Sequence, residues 1–171
     1  MRLEPLFTEA QIAERVNAVA GEIAALDDHP TIAAPILSGA FVFAADLLRA
    51  LHRRNLSLPV EFLWLRSYAE KRKPSDSVGV LVPPGHAVRG AHALLIDGVL
   101  DHGHTLDMAA RLLRDAGARR ITSVVVVDKL RSDAVARADL AAFTHVNHFI
   151  VGYGMDDGGQ GRGLPFIAAV D

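Results

Sequence analysis

The sequence predicts an α/β fold: a mostly parallel sheet flanked by helices. Near-continuous β-branched runs, of which "ITSVVVVDK" (121–129) is the longest, suit strands covered on both faces. Stretches with a helical stripe of apolar residues alternate with those runs, the chain pattern of a layered α/β sheet. The length of 171 residues, half of them hydrophobic, fits one domain with a full core. Residues 1–171 are therefore expected to form a single domain, without repeat or linker.

The elements follow in order. In "FTEAQIAERVNAVAGEIAAL" (7–26), Thr8 and Gln11 are spaced as a capping box and Phe7 can staple onto Ile12. Ile12, Val16, Val19, Ile23 and Leu26 then form one stripe. "TIAAPILSG" (31–39) reads as a buried strand and turn, with Pro35 awkward for a central strand. "AFVFAADLLRALHRR" (40–54) is an amphipathic helix whose basic residues gather at the C-terminal end, as the macrodipole prefers. "PVEFLWLRSY" (59–68) is a strand, and "AEKRKPSDSVG" (69–79) is polar, charged and expected to be mobile. "HALLID" (92–97) is a strand, "TLDMAARLLRDAG" (105–117) a helix stopped by Gly117, and 121–129 a strand. A further strand lies within "HVNHFIVGYGMD" (145–156), followed by a glycine-rich loop and a last strand, "PFIAAV" (165–170).

Composition removes several function classes. There is no cysteine, which excludes disulfide scaffolds, thiolate zinc sites and thiol nucleophiles, and fits a reducing compartment. Net charge is −2 with dispersed Lys and Arg, which argues against a nucleic-acid stripe. Glu4 and Glu9 interrupt any signal-peptide core, and the apolar runs are too short to span a bilayer. The expected setting is cytoplasmic, with no membrane or nucleic-acid partner.

The chemistry concentrates in "ALLIDGVLDHGHTL" (93–106). In open α/β sheets, ligands gather where strands end and helices begin. The amides of Gly103, His104 and Thr105 would open a helix and favour an anion, and Thr105 can cap that helix or donate to the same anion. Carboxylates beside a phosphate make sense if they face sugar hydroxyls, a Mg²⁺ ion or a developing cation. The competing reading takes Asp97 and Asp101 as turn and cap residues only. The "HGH" triplet also admits a metal reading, although no third ligand is identifiable nearby.

This stretch resembles the signature of type I phosphoribosyltransferases, a strand with two acids, two aliphatics and Asp-Thr-Gly-x-Thr. "PILSGAFVFAADLLRAL", "EFLWLRSY", "VVVVDK" and "HFIVGYGMDDGGQGRGLPF" are similar, in order, to segments of the hypoxanthine (6-oxopurine) branch. The resemblance implies a small hood from the N-terminal segment and C-terminal tail, a mobile lid loop and transfer of the 5-phosphoribosyl group of PRPP to hypoxanthine or guanine, with Mg²⁺. It implies Asp101 as the catalytic group near purine N7 and Asp97 on the ribose. His102, Gly103, His104 and Thr105 would hold the 5′-phosphate. Lys129, Phe149 and Ile150 would bind the purine. Ser38, Gly39 and Arg162 would bind pyrophosphate, Ser67 and Tyr68 would belong to the lid, and Asp156 would hold the metal. A homodimer or homotetramer is the implied assembly.

Four positions depart from the family pattern. Gly98 stands in place of a second acid, with Asp97 a shortened Glu. His102 replaces a threonine hydroxyl, Ser38 a frequent lysine, and "DDGGQG" an aromatic-rich tail. His102 and His104 can replace the lost donor as imidazolium groups beside a phosphate. The alternative these positions keep open is a catalytically weak or inactive sensor of nucleotide or PRPP.

Overall fold

The computed structural model describes residues 3–67 and 78–170. A six-stranded sheet has the order β4-β3-β2-β5-β6-β7 among the described residues. Its strands are β2 (Ile32–Leu37), β3 (Leu63–Ser67), β4 (Val78–Val82), β5 (His92–Leu100), β6 (Arg120–Asp128) and β7 (Leu140–Thr144). All neighbours are parallel except β3 and β4. A separate antiparallel sheet joins β1 (Leu3–Phe7) to β9 (Ile167–Val170) and β9 to β8 (Ile150–Val151). This small sheet is built from the two ends of the chain, where a hood was expected.

Helices α1 (Glu9–Ala24) and α2 (Phe41–His52) cover one face of the large sheet, and α3 (His104–Asp115) covers the other. The alternation along β5 makes this possible. Leu94 and Ile96 pack with Phe43, Leu47 and Val19, whereas Ala93 and Leu95 pack with Leu106 and Leu113. The expected capping box forms, with Thr8 Oγ1 accepting from Gln11 N and Gln11 Oε1 accepting from Thr8 N. Phe7 stacks on Phe143 with ring centroids 3.8 Å apart, tying β1 to β7. The first helix stops at Ala24, so Leu26 lies beyond the stripe assigned to it.

Pro35 does occupy a central strand. The contacts of β2 with β3 are an isolated bridge at Ala33↔Val60 and then a ladder from Ile36↔Leu63. Proline falls in the gap, where a missing N–H costs no ladder bond. Three strands were not anticipated. β1 leads directly into α1, β7 ("LAAFT") is short and half-exposed, and β4 begins within the segment expected to be polar and mobile. Apart from Val78 and Gly79, the segment expected to be mobile lies outside the described residues.

Topology fixes where a ligand belongs. From β2 the chain winds one way to β3 through α2, and from β5 it winds the other way to β6 and β7 through α3. The reversal between β2 and β5 leaves a crevice outside their C-terminal ends. Those ends carry the Ser38–Gly39 turn and the acidic stretch 97–105. No helix among the described residues is long and apolar enough to cross a membrane.

Candidate active site

β5 is longer than its apolar run predicts. Its ladder with β2 ends at Ile96, but pairing with β6 continues through Asp97↔Val125, Val99↔Val127 and Leu100↔Asp128. Asp97 and Gly98 therefore sit in the strand itself, beside the crevice, and Asp101 is the first residue past it. The Asp97 carboxyl is buried and accepts the Gly98 amide at 2.7 Å. Burial pushes it up to about 7 from the usual carboxylate range, and that one hydrogen bond only partly opposes the shift.

A cavity of about 230 Å³ lies over these strand ends, lined by Gly39, Asp97, Gly98, Val99, Asp101, Lys129, Phe149, Ile150, Met155 and Asp156. Seven of those lining residues, Gly39, Asp97, Asp101, Lys129, Phe149, Ile150 and Asp156, were singled out from sequence. Gly98 was singled out too, as a departure from the family pattern. β6 delivers Lys129, whose Nζ donates to Asp101 Oδ2 at 2.7 Å. The small sheet delivers Phe149 and Ile150, anchored by Val170 N donating to Phe149 O at 2.9 Å. Asp156 accepts from Gly159 N at 2.7 Å through Oδ2 and pairs through Oδ1 with Arg162 at 2.6 Å.

The turn 101–105 borders this cavity through Asp101. Gly103 is the N-cap of α3 at φ +85°, so Thr105 is inside the first turn and is not the cap expected of it. Helical geometry leaves first-turn amides without intrahelical acceptors. A side chain at Gly103 would meet Ala136 N at 2.9 Å, and His102 O accepts from Val135 N at 2.8 Å, so loop 131–136 presses on the turn. The ring nitrogens of His102 face carboxylates, Nδ1 at 3.2 Å from Asp101 Oδ1 and Nε2 at 3.7 Å from Asp133 Oδ2. Its ring lies nearly parallel to that of His104, with centroids 6.3 Å apart.

Glycines close the floor. A Cβ at Gly98 would stand 3.0 Å from Gly39 O, and one at Gly154, where φ is +98°, only 2.7 Å from the same oxygen. The Gly39 carbonyl thus lies between Gly154, where a side chain forces a shift, and Gly98, where one would be a tight fit. At Gly98 the missing second acid leaves room for this close approach of the turn. Ser38 and Arg162 do not line the cavity. Arg162 donates to Gly154 O at 2.7 Å and borders a larger cavity of about 510 Å³ between α1, α2 and the tail. That space has no strand-end turn. Its Asp46 is engaged by Arg49 and by the Tyr153 hydroxyl at 2.6 Å. Ser67 ends β3, and Tyr68 lies outside the described residues.

Sequence reasoning missed Val99 and Met155 in the lining, Arg131 beside Asp101 and Asp133 beside His102. Arg131 and Asp133 lie in an irregular loop that carries no periodic signal. The glycine at 103 was the one hint that another backbone comes close there.

Residues 4–157 match the phosphoribosyl transferase domain family. The hypoxanthine-guanine phosphoribosyltransferase of Aquifex aeolicus is 32% identical, over 99% of this chain and 96% of its own length. That of Bacillus subtilis is 29% identical over 96% and 91%. Among solved structures, the hypoxanthine phosphoribosyltransferase of Trypanosoma cruzi in complex with the product IMP superposes with a TM-score of 0.86, at 30% identity, over 98% of this chain and 94% of that one.

Proposed function

The chain belongs to the phosphoribosyltransferase family, and from that premise we infer that it is a hypoxanthine-guanine phosphoribosyltransferase of purine salvage. It transfers the 5-phosphoribosyl group of PRPP to hypoxanthine or guanine, giving IMP or GMP and pyrophosphate. The observation that carries the reading is the single cavity shared by Asp97, Asp101, Lys129 and Phe149. A sensor without turnover is not favoured, because the groups needed for chemistry converge there despite the four departures.

Roles follow from position and chemistry. The amides of His102, Gly103, His104 and Thr105 hold the 5′-phosphate at the start of α3. Asp97 accepts the ribose hydroxyls. Phe149 stacks on the purine, and Ile150 offers backbone groups to its edge. Lys129 donates to the 6-oxo group, which requires it to leave Asp101. In the transfer, the bond from purine N9 to C1′ forms as the bond from C1′ to pyrophosphate breaks, and the N7 proton passes to Asp101. The intervening ribosyl centre is oxocarbenium-like, so positioning and nearby carboxylates contribute most of the acceleration.

Pyrophosphate is held by the Ser38–Gly39 turn and by Arg162 once its guanidinium releases Asp156. Ser67 and Tyr68 belong to a lid that excludes water. Members of the family use Mg²⁺ with PRPP. Among the described residues, no three acidic or imidazole side chains gather to hold a metal ion. The Asp156 carboxylate still suits a hard cation that takes one protein ligand and completes its shell with substrate oxygens and water. Asp156 would hold Mg²⁺, whose charge would offset that of the leaving pyrophosphate. The whole chain acts as one catalytic domain, in the cytoplasm, as a homodimer or homotetramer and without a nucleic-acid partner.

The test is turnover. Purified protein with PRPP, Mg²⁺ and hypoxanthine or guanine is expected to form IMP or GMP, and Asp101→Ala to lower kcat by roughly 100-fold or more. Nucleotide binding without turnover would instead establish the sensor.

A further inference from the structure

We propose that His102, the residue standing where a threonine is usual, is a positioning residue for the Asp101 carboxylate during transfer. This rests on the reaction proposed above and assigns its ring a role separate from the phosphate contact of its amide.

The two oxygens of Asp101 are held unequally. Oδ2 accepts Lys129 Nζ at 2.7 Å. Oδ1 is buried and has no hydrogen-bond partner, yet faces His102 Nδ1 at 3.2 Å and Arg131 Nε at 3.5 Å. A buried oxygen without a donor is costly, so a small rotation that aligns Nδ1–H with it is favourable. The need grows when substrate arrives. Lys129 turns to the 6-oxo group, Asp101 loses its strongest contact, and the remaining donors are His102 and Arg131.

The surroundings hold the imidazole in place. Its Nε2 faces Asp133 at 3.7 Å, and Asp133 is clamped by Arg131 through bonds of 3.0 and 3.1 Å. Its backbone carbonyl takes the Val135 amide, and the His104 ring lies alongside. The charged groups facing it are therefore Asp101, Asp133, Arg131 and, across Asp101, Lys129. An imidazole presents nitrogens in two directions, Nδ1 towards Asp101 and Nε2 towards Asp133, and Nδ1–H can donate to Asp101. A threonine hydroxyl offers one short contact and cannot span the two carboxylates.

The experiment is steady-state kinetics on the full chain with hypoxanthine, PRPP and Mg²⁺ for wild type, His102→Ala, His102→Asn and His102→Thr, each checked by thermal melting. His102→Ala is expected to lower kcat by roughly 10- to 100-fold, the cost of a misplaced catalytic group, with KM for PRPP within about twofold. His102→Asn, whose amide nitrogen can take the place of Nδ1, is expected to recover most of kcat, and His102→Thr is not. A raised KM for PRPP with kcat unchanged would overturn the proposal, because the ring would then be contacting the anion. Wild-type kcat in His102→Ala would overturn it as well. If His102→Ala does not fold, the contrast between Asn and Thr decides, and equal kcat in those two variants overturns the proposal. Wild type without turnover would instead remove the parent reading, before any variant is compared.

Discussion

Lys129 Nζ lies 2.7 Å from Asp101 Oδ2, so the cation proposed to face the purine and the carboxylate proposed to face N7 neutralise each other. Lys129 is only one-tenth exposed, and this pairing keeps its charge from being buried alone. On the proposed role, substrate would exchange one partner of Lys129 for another rather than recruit a solvated lysine. Lys129→Ala is expected to lower kcat/KM for hypoxanthine by roughly 10- to 100-fold, the worth of one hydrogen bond to a charged group. It should also erase the preference for 6-oxo over 6-amino purines. Competition between hypoxanthine and adenine reads this, and an unchanged preference places Lys129 outside the site.

The proposed ribose contact of Asp97 is expected to make binding depend on pH. Burial raises its carboxyl to about 7, whereas ribose hydroxyls donate best to the carboxylate. Below that value the group must first release a proton, so IMP affinity should fall as pH drops through 7. The loss is roughly tenfold between about pH 8 and pH 6. Calorimetry in buffers of different ionisation enthalpy should detect the released proton near pH 6.5, and Asp97→Asn should remove both effects. A flat affinity profile for wild type would contradict the assignment.

The glycine floor predicts that restoring the second acid does not help. Gly98→Asp places a Cβ 3.0 Å from Gly39 O, so the turn proposed to hold pyrophosphate has to give by a few tenths of an ångström. KM for PRPP is expected to rise several-fold. Gly154→Ala adds left-handed strain and a tighter approach, and should cost about 1–3 kcal/mol. For a chain of this size that is a fall in Tm of roughly 2–4 °C per kcal/mol. Improved PRPP binding in Gly98→Asp would show that the turn gives freely.

His92 predicts acid sensitivity at the opposite end of the sheet. It is fully buried, with Nε2 2.8 Å from Thr122 Oγ1 and Nδ1 3.4 Å from Asp28. Burial holds its pKa below the ordinary 6.5, although the nearby Asp28 carboxylate pulls the other way. Below pH 6.5 the unfolded chain takes up a proton that the folded chain refuses, so this residue's contribution to stability is lost as pH falls. Asp97 acts in the opposite sense between 3.8 and about 7, because the folded chain keeps a proton that the unfolded chain has released. The readout is therefore the difference between wild type and His92→Asn in urea unfolding. It should move in favour of the variant as pH drops from about 7 to 5, and a constant difference would contradict this.

The sheet and the helices on both its faces were legible because burial on both faces writes itself as β-branched runs, and helices write a stripe. Asp97, Asp101, Lys129 and Phe149 were legible as residues matching a family order, and the crevice between β2 and β5 brings them together. What sequence could not give was contact between irregular segments. The approach of Asp133 to His102 depends on loop 131–136 folding onto Gly103, and no periodicity encodes it. Gly98 read as a lost acid, and its packing against Gly39 emerges only from the distance between two strand ends. β1 and β7 went unread because short, half-exposed strands borrow their stability from partners distant in sequence.

The central claim is one shared cavity, and a crystal structure of the chain with IMP tests it most directly. The purine should lie on Phe149 with its 6-oxo group within hydrogen-bond reach of Lys129 Nζ. Its phosphate should sit on the amides of 102–105, with the Lys129–Asp101 contact of 2.7 Å opened. IMP seated in the larger space between α1 and α2, with that contact intact, would contradict the account.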